Sequence, residues 1–116
     1  MAILGAHVVI FTRDADKDRA FFRDVMGFDN VDAGGGWLIF KLPPSEAAFH
    51  PADESAGKHQ LYLMVENVEA EIARLTGLGF ACEPIVEAGW GRLSGVTLPG
   101  GGKLAFYQPQ HKLAHG

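Results

Sequence analysis

The sequence predicts an α+β fold made of two tandem βαβββ modules. The prediction rests on a strand-like run followed by a capped helix that occurs twice, and on glycine-rich turns that separate short strand-like runs in both halves. The chain has 116 residues, the size of one domain, and 47% of them are hydrophobic, an ordinary share for a protein with one core. We therefore expect a single domain over residues 1–116, with module one at residues 5–51 and module two at residues 58–109.

The first module is predicted to begin with a strand and a helix. His7–Phe11 is rich in β-branched and aromatic residues, and Asp14–Asp16 offers side-chain oxygens that cap a helix. From about residue 17 to residue 26 apolar residues recur at helical spacing, and Gly27 supplies the left-handed residue at which helices end. Further short strands are predicted near residues 30–33, at Trp37–Phe40 and at Ala47–His50.

The same order of signals begins again at His59. Residues 7–28 align with residues 59–80 without a gap, at a constant offset of 52. In this second copy a strand is predicted from His59 to Val65, Asn67 caps the helix, and Gly79 ends it. One module alone cannot bury both a sheet face and a helix, so we expect the modules to pack together. The helices then cover one sheet face and the other face stays available for binding.

Composition excludes several functions. The net charge is −4 and the ten lysines and arginines are scattered, which argues against a nucleic-acid partner. No apolar run approaches the roughly 20 residues that span a bilayer, and the N-terminus lacks the basic region of a signal peptide, so we expect a cytoplasmic protein without a membrane partner. The single cysteine, Cys82, cannot form an internal disulfide and is interpreted as a small apolar filler.

Together these features resemble the vicinal-oxygen-chelate superfamily, which contains glyoxalase I, bleomycin-resistance proteins and extradiol dioxygenases. The resemblance extends over essentially the whole chain. It rests on a histidine at the start of each module, the acidic helix cap, the Gly-Phe helix ends, the Trp-Gly loop at Trp90 and the turn at Pro99–Gly100 before the last strand. The resemblance implies a U-shaped mixed sheet with helices on its convex face, a divalent metal on its concave face, and a homodimer.

The resemblance also implies metal ligands, of which only part is present. His7 and His59 match the histidines that open the first strand of each module. The family's carboxylate position falls on Ala105, and the repeat places Ala48 in the matching slot of module one. Alanine has no donor atom, and a catalytic metal site generally needs three protein ligands. His50, two residues beyond Ala48 on the same strand face, is the best replacement. Two alternatives for the cofactor therefore remain. The protein binds a divalent metal, which would be nickel, zinc, manganese or iron, or it binds no metal.

The concave face is predicted to hold a small organic ligand. We expect His7 and His59 to face each other across this pocket. The predicted ligand-binding residues are His50, Trp90, Arg92, Tyr107, Phe11 and Leu61. Such a lining suits a flat or aromatic ligand. Glu46 lies in a proline-rich turn and His111 in a tail without periodicity, so both are expected to be exposed.

These residues support alternative functions. The first is a ligand-binding protein of the bleomycin-resistance kind with a degenerate metal site. The second is a divalent-metal-dependent lyase, isomerase or dioxygenase that uses His7 and His59 as ligands. A third is a protein whose dimer surface is its only function. A homodimer is expected in each case, because short modules leave sheet edges that need cover.

Overall fold

The structure, a computed structural model, describes residues 7–49, 51–54 and 56–114. The order of its elements is α1 (Ala15–Ala20), a π-helical turn (Phe21–Val25), β1 (Asn30–Asp32), β2 (Leu38–Phe40), β3 (Tyr62–Met64), α2 (Val68–Gly77), β4 (Val86–Ala88), β5 (Gly91–Thr97) and β6 (Lys103–Pro109). Strands β1 and β2 form an antiparallel pair, and the other strands form an open sheet in the order β3-β6-β5-β4. Since β3 is parallel to β6 and the other pairs are antiparallel, this second sheet is mixed, and the α+β fold is confirmed.

Both helices begin and end at the predicted signals. The Asp14 side chain accepts a hydrogen bond from the Lys17 amide, and the Asn67 side chain accepts one from the Ala70 amide. Each bond satisfies an amide that the first helical turn leaves without a partner. Gly27 and Gly79 follow the helical segments with φ of 72° and 92°, the left-handed region that glycine enters without strain. The predicted caps and stops are confirmed in both halves.

The hydrophobic core lies between α2 and one face of the four-stranded sheet. Leu75 of α2, Val96 of β5, and Leu104 and Phe106 of β6 are buried there. Burying such a side chain stabilises the fold by about 1.5–3 kcal/mol. Because neighbouring residues of a strand point to opposite faces, Tyr107 and the other residues between the core positions of β6 stand on the face away from α2. The core therefore leaves one face of this sheet for the functional site.

Two predicted strands of the first half are absent among the described residues. Residues 7–12 form no ladder, and Val9 and Phe11 are 63% and 90% exposed. Residues 47–49 of the predicted strand Ala47–His50 form none either, and His50 lies outside the described residues. Both segments have strand-like composition, but a strand is stable only beside a hydrogen-bonding neighbour, and β propensity depends on that context. Among the described residues of the first half, only β1 and β2 form a ladder.

The second half shows the full βαβββ order in β3, α2, β4, β5 and β6. Strand β3 is shorter than the predicted strand from His59 to Val65, and it lies at one edge of the sheet. No helix in the described part of the chain has the length and apolar character needed to cross a bilayer.

Candidate functional site

Three aromatic side chains meet on the face of the second sheet that points away from α2. We call Tyr62 of β3, Trp90 of the β4–β5 turn and Tyr107 of β6 the aromatic wall. The ring centroids are 5.1 Å apart for Trp90 and Tyr107, 5.8 Å for the two tyrosines, and 6.0 Å for Tyr62 and Trp90, with ring planes 71–87° apart. Edge-to-face contacts at such distances are favourable, so the aromatic wall is formed before any ligand arrives.

The strand register places these rings side by side. Tyr62 is paired with Ala105 and Met64 with Tyr107 across β3 and β6. Paired residues share a sheet face, so Tyr62 stands on the same face as Tyr107. Trp90 reaches the same place because the two-residue turn after β4 leads directly into Gly91. A Cβ on residue 91 would lie only 2.7 Å from Cδ2 of Tyr107, so glycine is needed for this close approach.

A cleft of about 220 Å³ opens beside the aromatic wall. One side is formed by residues 42–46 of the first half and the other by residues 61–64 of the second half. Tyr62 belongs both to the wall and to the cleft. Glu46 lines the opposite side of the cleft from Tyr62.

The C-terminal segment, residues 110–114, crosses the aromatic wall. The Gln110 amide donates to the Trp90 carbonyl at 2.9 Å. The His111 ring stacks on Tyr107, with centroids 5.8 Å apart and planes 26° apart, and its Nε2 lies 2.8 Å from the Tyr107 hydroxyl. The Ala114 amide donates to Oε2 of Glu46 at 2.7 Å. The segment thus ties β6 to the first-half side of the cleft.

Both ring nitrogens of His111 lie within hydrogen-bond distance of a neighbouring oxygen. Its Nδ1 lies 2.9 Å from the carbonyl oxygen of Lys112, which can only accept. Nδ1 therefore carries a proton, and in the tautomer protonated at Nδ1 alone, Nε2 accepts the hydroxyl proton of Tyr107. Burial first, and the Glu46 carboxylate second, raise the pKa of Tyr107 above its usual value. Tyr107 is consequently a neutral hydroxyl at neutral pH and serves as a hydrogen-bonding group.

The structure brings together two of the predicted ligand-binding residues, Trp90 and Tyr107. Leu61 lines the adjacent cleft. Phe11 does not join them, since it borders a second cleft that is lined by Thr12, Arg13 and the glycines Gly100, Gly101 and Gly102.

Arg92, also predicted to bind the ligand, lies on the other face of the sheet. Arg92 is paired in register with Gln108, whose side chain accepts from the first amide of α2, so both face the helix. Its guanidinium lies 2.8 Å from Glu69 of α2 and 2.8 Å from Glu87. Odd and even positions of β5 point to opposite faces, and Arg92 is directed away from the aromatic wall.

The predicted metal ligands lie outside this site or outside the described residues. His7 and His59 are exposed, belong to no strand, and border neither of the two clefts. That these two histidines face each other across one pocket remains a prediction. His50 lies outside the described residues. Within residues 7–49, 51–54 and 56–114, no group of three or more histidine, cysteine, aspartate or glutamate side chains is placed to hold a metal ion. The described donor set therefore does not fit the family's metal.

Three residues of the site were missed or misjudged in the sequence. Glu46 was expected to be exposed, but its side chain is only 18% exposed. His111 is exposed as expected, and its contact with Tyr107 was not predicted. Tyr62 was not predicted at all. The alternation of Leu61, Leu63 and Val65 is a signal that could have found it, because these apolar residues direct Tyr62 to the opposite face.

Comparison with known proteins identifies the family. The family model of the glyoxalase/bleomycin resistance protein/dioxygenase superfamily matches residues 6–109. The chain belongs to this superfamily. A comparison with the curated proteins finds no match.

Solved structures of the superfamily confirm the fold. TnmS3, an antibiotic binding protein from Streptomyces sp. CB03234, is 24% identical with a TM-score of 0.64, and the match covers 94% of this chain and 100% of TnmS3. Lactoylglutathione lyase from Agrobacterium tumefaciens is 17% identical with a TM-score of 0.66, over 93% of this chain and 96% of that protein. A glyoxylase/bleomycin resistance protein/dioxygenase domain from Frankia sp. EAN1pec is 18% identical with a TM-score of 0.64, over 94% and 100%. At these identities the likeness concerns the fold alone.

Proposed function

We propose that this superfamily member binds a small, flat organic molecule against the aromatic wall. The single observation that carries the proposal is the preformed contact of Tyr62, Trp90 and Tyr107 beside a cleft. Small-molecule sites are concave and mostly apolar, with a few polar groups that fix the orientation of the ligand. Here the polar groups are the Tyr107 hydroxyl and the Glu46 carboxylate. The similar TnmS3 is described as antibiotic-binding, which supports a binding function.

The donor set favours binding over metal-dependent catalysis. Ala105 is paired with Tyr62 and therefore lies on the wall face, where the family's carboxylate would stand. An alanine supplies no oxygen ligand at that position of the last strand. We accordingly propose a ligand-binding protein with a degenerate metal site, in preference to a lyase, isomerase or dioxygenase.

Binding to the aromatic wall can be measured through Trp90. The chain has two tryptophans, so Trp37→Phe leaves Trp90 as the only one. Proflavine, a flat tricyclic cation, is expected to quench Trp90 and to bind in calorimetric titrations. In the same background Tyr62→Leu should weaken binding by about 0.5–1.5 kcal/mol, the contribution of one aromatic contact beyond area burial. Phe11→Leu is the matched control, because Phe11 is an aromatic side chain outside the wall. Equal affinities of the Tyr62→Leu and parent proteins would contradict the proposed function.

We also propose that two copies of the chain associate. The apolar segment at residues 7–11 lies exposed without a ladder, and Phe49 is exposed as well. Strand β3 in addition presents an outer edge. A second copy could cover both features, as sheet edges and large apolar patches usually require. Light scattering at micromolar concentration should give the mass of a dimer, and Val9→Glu should shift it towards the monomer. A monomeric parent protein would refute this proposal.

A further inference from the structure

We infer that Tyr107 and His111 form a redox-active pair, in which Tyr107 becomes a radical after an oxidant has taken an electron from Trp90. The reaction partner is a small one-electron oxidant in solution. The inference goes beyond the proposed function, because this activity of the aromatic wall requires no bound ligand.

The three rings of the aromatic wall lie close enough to exchange an electron. The ring centroids are 5.1 Å apart for Trp90 and Tyr107 and 5.8 Å apart for Tyr62 and Tyr107. Electron transfer slows steeply as the distance between two groups grows, and edge-to-face rings at these distances are in contact. The ring that finally lacks the electron is therefore decided by its chemical surroundings and not by its distance from the other rings.

Trp90 is the ring through which an oxidant in solution reaches the buried Tyr107. The Trp90 residue is 44% exposed, whereas Tyr107 is only 6% exposed. Trp90 also lies in the turn between β4 and β5, at one end of the sheet. An oxidant therefore takes an electron from Trp90, and Tyr107 can replace that electron across the ring contact.

Tyr107 differs from the other two rings by the base beside its hydroxyl. A phenol that loses an electron becomes a strong acid, so it is oxidised most easily where a base takes its proton at once. Nε2 of His111 lies 2.8 Å from the Tyr107 hydroxyl and, in the tautomer protonated at Nδ1 alone, has a lone pair for this proton. In the part of the chain that the structure describes, the Tyr62 hydroxyl and the Trp90 indole N–H have no hydrogen-bond partner.

The C-terminal segment holds this base in position. The His111 ring stacks on Tyr107 with the ring planes 26° apart, and its Nδ1 lies 2.9 Å from the Lys112 carbonyl oxygen. The Gln110 amide donates to the Trp90 carbonyl at 2.9 Å. A base acts efficiently when it is within hydrogen-bond reach of the proton and is itself oriented by a further group. The Lys112 carbonyl is that further group.

The electrons and protons of the reaction balance. Trp90 gives one electron to the oxidant and becomes a radical cation. Tyr107 then returns one electron to Trp90, while its O–H bond breaks and an N–H bond forms at Nε2 of His111. The products are a reduced oxidant, a neutral Tyr107 radical and a His111 imidazolium. Burial raises the pKa of Tyr107, so the hydroxyl keeps its proton until the electron leaves.

Flash photolysis of tris(bipyridine)ruthenium with persulfate supplies a one-electron oxidant to the full-length protein, and transient absorption distinguishes tryptophan radicals from tyrosine radicals. The chain has two tryptophans and two tyrosines, so the Trp37→Phe/Tyr62→Phe background leaves Trp90 and Tyr107 as the only ones. In this background the Trp90 radical should decay as the Tyr107 radical appears.

His111→Gln in the same background tests the base. Glutamine keeps a polar side chain but takes no proton, so the transfer should slow about 100-fold, within the range that a positioned base contributes. His7→Gln is the matched control, because His7 is exposed and borders neither cleft, and it should leave the rate as it was.

Three results would overturn the inference. If the Trp90 radical is the lasting product in the background protein, Tyr107 does not give up the electron. If the Tyr107 radical forms equally fast in His111→Gln, then His111 is not its base. Equal rates in heavy and ordinary water would show that no proton moves with the electron. This last measurement uses the background protein, so it decides the matter even if circular dichroism shows His111→Gln to be unfolded. Proflavine binding to the aromatic wall is measured separately, so failure of the inference and failure of the proposed function are distinguishable.

Discussion

Replacing Gly100 by alanine tests one of the contacts that join the two halves of the chain. Gly100 lies in the turn before β6, and its amide donates to Oδ1 of the buried Asp18 in α1 at 2.7 Å. A Cβ on residue 100 would overlap Oγ1 of Thr12 and would lie 2.7 Å from Oδ2 of Asp18. Side chains and turn must therefore move apart to admit even one methyl group.

The expected cost follows from two effects. Overpacking a close contact costs about 1–3 kcal/mol. Moving the turn also weakens the hydrogen bond to the Asp18 carboxylate, and bonds to charged groups contribute about 1.5–3 kcal/mol when they are intact. We expect Gly100→Ala to lower the free energy of unfolding by about 2–4 kcal/mol, a large part of the 5–15 kcal/mol typical of a domain.

Urea unfolding followed by circular dichroism measures this change. Gly102→Ala is the control, since a Cβ there would meet nothing within 4 Å and the backbone needs no positive φ. Thr12→Ala removes the hydroxyl that the new methyl group overlaps, so the cost of Gly100→Ala should be smaller in that background. The reasoning is refuted if Gly100→Ala and Gly102→Ala are equally stable.

Three further predictions concern the core, the site and the metal. Leu75→Ala should cost about 2–5 kcal/mol in urea unfolding because Leu75 is fully buried, and exposed Leu78→Ala should cost far less; equal losses would contradict the described core. Absorbance at 295 nm should show Tyr107 ionising above its usual pKa, a transition that Tyr107→Phe removes. The folded state holds the Tyr107 proton more tightly than the unfolded state. The stability that this difference contributes is therefore present below the ordinary tyrosine pKa and should be lost as the pH rises through the raised pKa of Tyr107. Elemental analysis after incubation with nickel, zinc, manganese or iron should give equal metal contents for the parent, His7→Ala and His59→Ala proteins; stoichiometric metal lost in either variant would instead support the metal-dependent enzyme.

The sequence predicted the elements that local chemistry determines. Asp14 and Asn67 cap their helices by accepting hydrogen bonds from amides of the first turn. Gly27 and Gly79 follow the helices in the left-handed conformation, which ends a helix within one turn. The strand at His7–Phe11 depends instead on a distant partner, and no local pattern shows whether that partner is present. The duplication of the modules remains a proposal that the equal spacing of these helix signals supports.

The site was predicted only in part because sheet register and tail position are tertiary features. Trp90 and Tyr107, which were predicted from the loop and the last strand, lie in contact with each other. Tyr62 was missed because the face of the strand was counted from His59, whereas the ladder places the even-numbered Tyr62 beside Ala105. A shift of one residue reverses the face of every side chain. The position of His111 on Tyr107 leaves no trace in sequence periodicity, since it depends on the path of the chain after β6.

The most direct test of the central claim is nuclear magnetic resonance of the full-length protein titrated with proflavine. Amide and aromatic shifts should change most at Tyr62, Trp90 and Tyr107, with smaller changes along residues 42–46. The account is contradicted if the shifts change instead around Phe11 and residues 100–102, at the second cleft, while the aromatic wall stays as it was.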